Sequence, residues 1–290
     1  MRKISNQFMQ DLEHGYLNSI IEVAINDPDI NFEIRSGYIN LYYKGHSILN
    51  LRELVSNKYS INIHSKISLD AHIPDFLSSE QDVNSFIKHI PLLKENIVSL
   101  QTSSLEMEYE QMIIRVNNSE QKIASEYFIL DRQYAIKRNR FDLMGFYWPH
   151  QGRRKNQTVS MCLMEVKYGL NVDIKQVHTQ LSKYYEAVKA NAAAIAAEGE
   201  SILKQKLSLG FFKQPQNRLD AMKTLHISPR IEDFQFVIFL IDFNPYSSLL
   251  KENEIWNLHF ANQIRLYKGG LAMWEQNLQS NRISNKKHIY

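Results

Sequence analysis

Residues 159–167, which decide the fold, read VSMCLMEVK. An almost wholly apolar run of this length predicts a buried β-strand, and the side chains of a strand alternate between its two faces. Glu165 and Lys167 therefore share one face at the end of the strand, while Val166 points to the other face. Because a buried charge is costly unless it is paired or bound to a cation, this strand end is a candidate functional site.

The elements around this run predict an α/β (α+β) order. Before the run, the sequence predicts a helix over 104–117 and then two strands over 127–136 and 140–148. After the run, apolar residues that step by three and four predict a long helix over 173–197, which Gly199 would stop. An apolar strand over 234–243 follows. Three strands in a meander, then a helical crossover to a fourth, predict a mixed sheet with helices on its faces.

The first 78 residues predict a β-rich N-terminal region ahead of this core. Short apolar runs separated by turn signals such as Ser36-Gly37 and Lys44-Gly45 are typical of antiparallel strands. An amphipathic helix is predicted before them over 7–25, and a helix within 79–103 is predicted to connect the region to a domain of residues 104–290. We expect residues 1–78 to recognise a substrate or a partner.

The composition is that of an ordinary globular protein. Hydrophobic residues make up 44% and charged residues 22%, and a net charge of +3 neither requires nor excludes nucleic acid. Cys162 is the only cysteine of the sequence, so a reducing, cytoplasmic location is expected. The sequence shows neither the apolar stretch of a signal peptide nor a run long enough to cross a membrane, and no membrane partner is expected.

Asp142 stands between apolar residues of the 140–148 strand. Antiparallel neighbours would bring its carboxylate beside Glu165. Two carboxylates and the Val166 carbonyl offer the oxygen ligands that Mg²⁺ prefers, with Mn²⁺ as a substitute. Such an ion polarises a phosphodiester and lowers the pKa of water. Lys167 would orient or deprotonate that water, or neutralise charge in the transition state, and no protein nucleophile is needed.

The Glu-x-Lys pattern alone is unspecific. The chain contains a second copy, Glu120-Gln121-Lys122, in a polar stretch without strand signals. The literal Pro-Asp pairs, Pro28-Asp29 and Pro74-Asp75, lie in predicted loops far from the Glu165 strand. What distinguishes Glu165-Val166-Lys167 is its context of two adjacent apolar strands followed by a long helix.

In that context the sequence resembles the PD-(D/E)XK nuclease superfamily, which includes restriction endonucleases, RecB-type exonucleases and Holliday-junction resolvases. The resemblance covers residues 105–244. It implies a restriction-endonuclease-like α-β-β-β-α-β core, with a metal-binding Asp in the second strand and Glu-x-Lys in the third. Asp142, Glu165 and Lys167 occupy those places, and Phe141 stands where the usual proline precedes the Asp.

Two further features carry the resemblance. RecB-like members have a Gln-Leu-x-x-Tyr helix, and this chain reads Gln180-Leu181-Ser182-Lys183-Tyr184. The resemblance implies a catalytic, positioning role for Gln180, with Tyr184 one helical turn away. Many members also place a Glu early in the first helix as a further ligand of the metal or the water. We expect Glu106 in that role, with Glu108 as the alternative and Glu110 also open.

DNA is the expected partner, and RNA is left open. Arg140 and the run Arg153-Arg154-Lys155, which connects the two strands of the metal site, are expected to bind phosphate, with solvated basic turns as the alternative. Tyr184 is expected to project towards the metal edge or the DNA. The sequence leaves a homodimer or a partner protein open.

The residues and the resemblance together predict a Mg²⁺-dependent deoxyribonuclease, an endonuclease of defence, restriction, repair or a mobile element, and the fold does not decide among these roles. Two other interpretations stay open. One is a catalytically inactive protein that kept the fold and binds nucleic acid or another protein. The other is an unrelated α+β interaction protein in which Asp142 and Glu165 belong to surface ion pairs.

Overall fold

A computed structural model of the chain describes residues 1–55, 57–69, 72–100, 104–119, 124–136 and 138–274. Residues 1–100, here the N-terminal unit, hold two helices, a sheet and a third helix. The elements in chain order are α1 Asn6–Glu13, α2 Asn18–Asn26, β1 Ile30–Ile34, β2 Tyr38–Tyr43, β3 His46–Val55, β4 Lys58–Asn62, β5 Phe76–Leu77 and α3 Glu80–Ser99. The five strands pair antiparallel in chain order, which confirms the predicted meander.

The predicted helix over 7–25 is wrong as a single element, because the structure divides it into α1 and α2. The side-chain amide of Asn18 donates to the carbonyls of Leu12 at 3.1 Å and Glu13 at 2.9 Å. These bonds satisfy carbonyls that the end of α1 leaves without helical partners. A polar side chain that caps the preceding helix therefore replaces the continuous helix that the apolar spacing predicted.

Helix α3 shares the core of the N-terminal unit. It buries one face against the sheet and α2, through Val83, Phe86, Ile90, Leu93 and Ile97. The Ser79 hydroxyl accepts a hydrogen bond from the Asp82 amide at 3.3 Å and caps the first turn. The helix predicted as a connection within 79–103 thus contributes a full apolar face to the N-terminal core.

Residues 104–274, here the C-terminal unit, contain the second sheet. Its elements in chain order are α4 Leu105–Asn118, β6 Tyr127–Ile136, β7 Asn139–Tyr147, β8 Thr158–Tyr168, α5 Val177–Lys189, α6 Ala192–Ser208, α7 Gln216–Met222, β9 His226–Ile227, β10 Gln235–Ile241, α8 Glu252–Trp256 and β11 Ile264–Gly269. The strand order is β11-β10-β8-β7-β6, with β9 beside the start of β8. Strands β6, β7 and β8 are antiparallel, whereas β10 runs parallel to β8 and β11. The predicted mixed sheet in an α/β protein is confirmed.

Helices cover both faces of this sheet, and this explains why β8 and β10 are apolar along most of their length. Helix α4 packs on one face, where Ile114 contacts a cluster that includes Leu143, Met164 and Val166. Helices α5 and α6 pack on the other face through residues such as Leu181 and Ile202. Strands buried on both faces carry no polar alternation. A polar side chain on one of these buried strands is therefore a candidate for a functional role.

The predicted helix over 173–197 is also wrong as a single element. A 3₁₀ turn at Val172–Gln176 precedes α5, and the chain breaks before α6, where the Asn191 side chain donates to the Ala187 carbonyl at 2.7 Å. Gly199, the predicted stop, lies inside α6. A Cβ at this position would meet Met161 Cε at 2.5 Å, so the glycine allows the helix to approach the sheet closely.

None of the helices in the described ranges combines the length and the apolarity that a bilayer crossing requires. Cys162 is fully buried within β8.

Candidate active site

Asp142 and Glu165 lie on neighbouring antiparallel strands. The pairing of β7 with β8 joins Leu143 to Met164, and one further step of the same register sets Asp142 opposite Glu165. Residues that face each other in an antiparallel pair project to the same side of the sheet. That side is covered by α5. The side chain of Asp142 accepts a hydrogen bond from the Val166 amide at 2.8 Å, which ties it to β8.

Glu165 is the centre of a hydrogen-bond network under α5. Its carboxylate accepts from Lys167 Nζ at 2.7 Å, from Gln180 Nε2 at 2.7 Å and from the Tyr184 hydroxyl at 3.4 Å. Glu165 is 5% exposed and Lys167 is 8% exposed. These two residues are therefore buried, unlike the surface ion pair that one interpretation of the sequence predicted.

Tyr184 lies deeper than a nucleic-acid contact requires. Its single hydroxyl proton lies between two acceptors, the Arg140 carbonyl at 2.8 Å and the Glu165 carboxylate at 3.4 Å, and the hydroxyl oxygen accepts from Gln180 Nε2 at 2.5 Å. Its ring packs against Phe141, with centroids 4.2 Å apart. The structure thus brings Gln180 and Tyr184 to the Glu165 carboxylate together, as one helical turn of α5 allows, and gives Tyr184 contacts that orient the site.

Burial perturbs the two carboxyl groups in the same direction. The pKa of Asp142 is raised to about 8, first by burial and then by the charges of Glu165 and Glu110. Burial also raises the pKa of Glu165, although Lys167, Gln180 and Tyr184 oppose the shift. Two adjacent buried carboxylates disfavour full ionisation of the pair. A bound cation would remove that conflict.

Lys167 carries the opposite shift. Burial alone lowers the pKa of this ammonium, but the charges of Glu165, Asp142 and Glu106 outweigh burial, and the net pKa is raised. The ammonium therefore stays protonated at neutral pH. It is suited to pair with negative charge and not to accept a proton.

These residues line a polar cleft of about 560 Å³. Strands β7 and β8 form its floor with Asp142, Glu165 and Lys167. Helix α5 contributes Gln180 and Tyr184, and the hairpin between β6 and β7 contributes Arg138 and Arg140. Lys183 also lines the cleft. The Gln-Leu-x-x-Tyr pattern assigns no role to Lys183, although its position three residues after Gln180 places it on the same side of the helix.

The three glutamates of α4 have different surroundings. Glu106 lines the cleft, and its Oε1 accepts from the Asn171 side chain at 2.8 Å and from the Tyr168 amide at 3.4 Å. Glu108 forms an ion pair with Lys44 of the N-terminal unit at 3.5 Å. Glu110 is buried and binds Arg132 Nε at 2.6 Å. Of the three, Glu106 is thus the one with access to the cleft.

The run Arg153-Arg154-Lys155 does not line the cleft. Its loop joins the end of β7 to the start of β8, whereas Asp142 lies near the start of β7 and Glu165 near the end of β8. The five residue steps from Asp142 to the end of β7 at Tyr147 span about 17 Å. Arg153 instead donates to the carbonyls of Ser125 at 2.6 Å and Trp148 at 2.9 Å. The run that was expected to bind phosphate beside the metal site therefore lies at the opposite end of the two strands.

The donor set of the cleft suits a hard divalent cation. Asp142 and Glu165 present carboxylate oxygens beside the Val166 main chain, and burial raises the pKa of both acids. In the described parts of the chain, no three side chains of the His, Cys, Asp or Glu type stand together as a complete ligand group. The residues therefore fit a two-carboxylate site, with Glu106 at the cleft wall.

The other candidate motifs lie elsewhere. Pro28-Asp29 is in the turn between α2 and β1, and Pro74-Asp75 precedes β5. Glu120-Gln121-Lys122 lies outside the described residues.

Comparison with known proteins adds no relative: no family model, no curated protein and no solved structure matches the chain.

Proposed function

We propose that the protein is a divalent-metal-dependent nuclease that hydrolyses phosphodiester bonds of DNA. The observation that carries the proposal is the convergence of Asp142, Glu165, Lys167 and Gln180 in one polar cleft, on two antiparallel strands and the helix that follows them. The order α4-β6-β7-β8-α5-β10 agrees with the restriction-endonuclease-like core that the resemblance to PD-(D/E)XK nucleases implies. An endonuclease of defence, restriction, repair or a mobile element fits this proposal.

The metal would be Mg²⁺, with Mn²⁺ as a substitute, held by Asp142, Glu165 and the Val166 carbonyl. When bound, it supplies Lewis acidity towards a phosphodiester and lowers the pKa of water. Lys167 stays protonated beside Glu165 and stabilises negative charge that develops on the phosphate. Gln180 and Tyr184 fix the orientation of the Glu165 carboxylate. Glu106 holds Asn171 at the cleft wall.

Unpaired cations at the cleft support a polyanionic substrate. Arg138, Arg140 and Lys183 are exposed, and none of them forms an ion pair with another described residue. Cations without internal partners are free to neutralise phosphates. Because two of them lie on the β6–β7 hairpin and the third on α5, the flanking phosphates of a nucleic-acid strand would lie along that side of the cleft.

The proposal is tested by cleavage of linear, circular, single-stranded and branched DNA, with RNA in parallel, in Mg²⁺, in Mn²⁺ and in chelator. Lys167→Ala should lower metal-dependent cleavage at least about a hundredfold, because the developing charge loses its ammonium. Asp142→Asn should abolish cleavage as well. Lys155→Ala, the same loss of charge at the far edge of the sheet, is the control and should cleave normally. Full activity of Lys167→Ala with an intact fold would refute the assignment.

A second candidate is a catalytically inactive module that uses the cleft to bind nucleic acid or protein. It is favoured by one observation, that Glu165 pairs internally with Lys167 while the described residues contain no group of three acid, His or Cys ligands. Calorimetric titration separates the two candidates. The nuclease requires binding of Mg²⁺ or Mn²⁺ that Asp142→Asn removes, whereas the inactive module requires neither ion.

A further inference from the structure

Charged side chains are buried where the two units meet, here called the seam. Glu33 in β1 accepts a hydrogen bond from Lys206 Nζ of α6 at 3.0 Å. Arg35, directly after β1, forms an ion pair with Asp131 of β6. Glu33 and Asp131 are both completely buried. Each of these carboxylates thus has a cationic partner that belongs to the opposite unit.

The part of β6 at the seam is irregular. The register between β6 and β7 shifts between Ile129 and Asp131, and Gln133 has a φ of 55°. A left-handed backbone is uncommon and unfavourable for a residue other than glycine, so the surrounding structure must hold it in place. In the ladder, Gln133 lies between the pairs Arg132–Leu143 and Tyr134–Phe141. Gln133 and Asp142 are the two residues between these pairs, so they lie across from each other although they form no regular ladder pair.

Side chains of the N-terminal unit bind main-chain carbonyls of this irregular segment. Arg35 Nη2 donates to the Arg132 carbonyl at 3.0 Å, and Arg2 Nη2 donates to the Gln133 carbonyl at 3.1 Å. The Tyr42 ring of β2 lies beside the guanidinium groups of Arg35 and Arg132, whose central carbons are 5.7 Å and 5.2 Å from the ring centroid. The conformation of residues 131–133 is thus held by groups from another unit.

Helix α4 holds the same segment through its side chains. Glu110 accepts from Arg132 Nε at 2.6 Å and from Gln133 Nε2 at 3.0 Å. Glu110 lies on the helix that also carries Glu106 to the cleft wall. Loss of the contacts from the N-terminal unit would leave the strained segment supported by Glu110 alone on its side-chain face, and Asp142 would lose a fixed neighbour.

We propose that Arg35 is a positioning residue for the cleft: by fixing residues 131–133 of β6 it sets the place of Asp142 on β7. Its catalytic consequence rests on the proposed nuclease function, whereas its structural consequence does not. The N-terminal unit is then a required part of the site and not only a recognition module. Any partner or substrate that moves β1 at the seam would change the activity of the cleft.

The seam provides a matched control. Lys206→Met removes one cation from Glu33, which keeps Arg35 Nη1 at 3.9 Å, just as Arg35→Met removes one cation from Asp131, which keeps Arg2. Lys206 makes its contact with β1 and not with residues 131–133 of β6. Both variants should therefore lose stability, but Arg35→Met alone should disturb the strand beside Asp142.

Hydrogen–deuterium exchange of the full-length protein, well below the melting temperature of either variant, measures this difference. We expect exchange of the amides of residues 139–147 to become about tenfold faster in Arg35→Met and to stay near the wild-type rate in Lys206→Met. Equal exchange of this strand in the two variants would overturn the proposal. If Arg35→Met does not fold, Arg35→Lys serves instead, because it keeps the charge facing Asp131 without a guanidinium that also reaches the Arg132 carbonyl.

Cleavage provides the second measurement. Arg35→Met should lower kcat ten- to a hundredfold with little change in KM, since a misplaced catalytic group slows the reaction more than it weakens binding. Lys206→Met should keep the wild-type kcat at the same temperature. A wild-type kcat for Arg35→Met would overturn the positioning role. If the wild-type protein cleaves no nucleic acid, the nuclease proposal fails, and the exchange experiment still decides the role of Arg35.

Discussion

Buried carboxylates occur both at the seam and in the cleft, but the two regions balance them differently. At the seam each carboxylate has a cation from the opposite unit, in the pairs Glu33–Lys206, Asp131–Arg35 and Asp131–Arg2. In the cleft, Glu165 pairs with Lys167, and Asp142 forms no ion pair with any described residue. Two adjacent carboxylates thus face one ammonium.

This difference separates charges that hold the units together from charges kept for a ligand. A paired buried charge is costly to break because its partner is left in a medium of low polarity. A buried charge without a partner lowers the stability of the folded protein until a ligand binds to it. Such groups concentrate at functional sites. Burial raises the pKa of Asp142 first, and the neighbouring charges of Glu165 and Glu110 raise it further. Predictions that change the balance in either region test this interpretation.

The largest effect is expected at the seam. Lys206→Met leaves the completely buried Glu33 with Arg35 Nη1 at 3.9 Å as its remaining cation. The free energy of unfolding should fall by about 3 to 5 kcal/mol, the usual cost of breaking a buried pair from one side. Urea denaturation measures it. The double variant Lys206→Met with Glu33→Gln should recover part of the loss, and a single variant as stable as the wild type would show that the pair is not buried in solution.

A smaller effect of opposite sign is expected in the cleft. Asp142→Asn removes a carboxylate that the folded protein holds at a raised pKa, so the metal-free protein should become more stable at pH 8.5. The gain should be at least about 1.4 kcal/mol, the equivalent of one pKa unit. Added Mg²⁺ should stabilise the wild type and not the variant. A variant less stable than the wild type in chelator would contradict the imbalance.

The pH dependence of the same experiment follows from the direction of the shift. The pKa of Asp142 is about 8 in the folded protein, against an ordinary value of 3.8 for an aspartate side chain in water. Between these values the folded state binds more protons than the unfolded state, so the stability of the metal-free wild type falls as the pH rises. Below the lower value both states are protonated and the variant should have no advantage. An advantage that is constant from pH 4 to pH 8.5 would assign the gain to packing and not to charge.

Much of the cleft could be predicted from local sequence. The apolar residues around Glu165 and Asp142 mark strands buried on both faces, where a carboxylate is conspicuous. The spacing of Gln180 and Tyr184 on one helical turn brought both to Glu165. The strand predicted over 127–136 has the bounds of β6. Each of these inferences uses contacts between neighbours in sequence or between consecutive strands.

The rest depends on contacts that no local pattern encodes. Arg35 and Asp131 are 96 residues apart and belong to different units, so no local sequence pattern reveals the pairing. The position of Arg153 is a different case. Antiparallel geometry alone places a β7–β8 loop at the opposite end of these strands from Asp142, so the charge of the loop residues does not bring them to the cleft. Helix lengths were overestimated because apolar spacing continues across breaks that Asn18 and Asn191 stabilise.

The smallest effect concerns the exposed cations of the cleft. Lys183→Ala removes one charge on α5 that makes no ion pair with other described residues. In an Asp142→Asn background, where cleavage does not interfere, affinity for a DNA duplex should fall. The slope of the logarithm of the binding constant against the logarithm of the salt concentration should decrease by about 0.9, the release of roughly one counterion. Fluorescence anisotropy over a salt series measures both quantities.

Arg154→Ala is the control for this variant, because Arg154 is an equally exposed cation at the opposite edge of the sheet. Both substitutions change the net charge by the same amount, so long-range attraction to DNA weakens equally in the two. Only a direct phosphate contact changes the slope by a full counterion. A larger slope change in Lys183→Ala than in Arg154→Ala assigns the nucleic-acid path to the side of α5. Equal changes would mean that the exposed cations act through net charge alone, and that the cleft does not direct the strand.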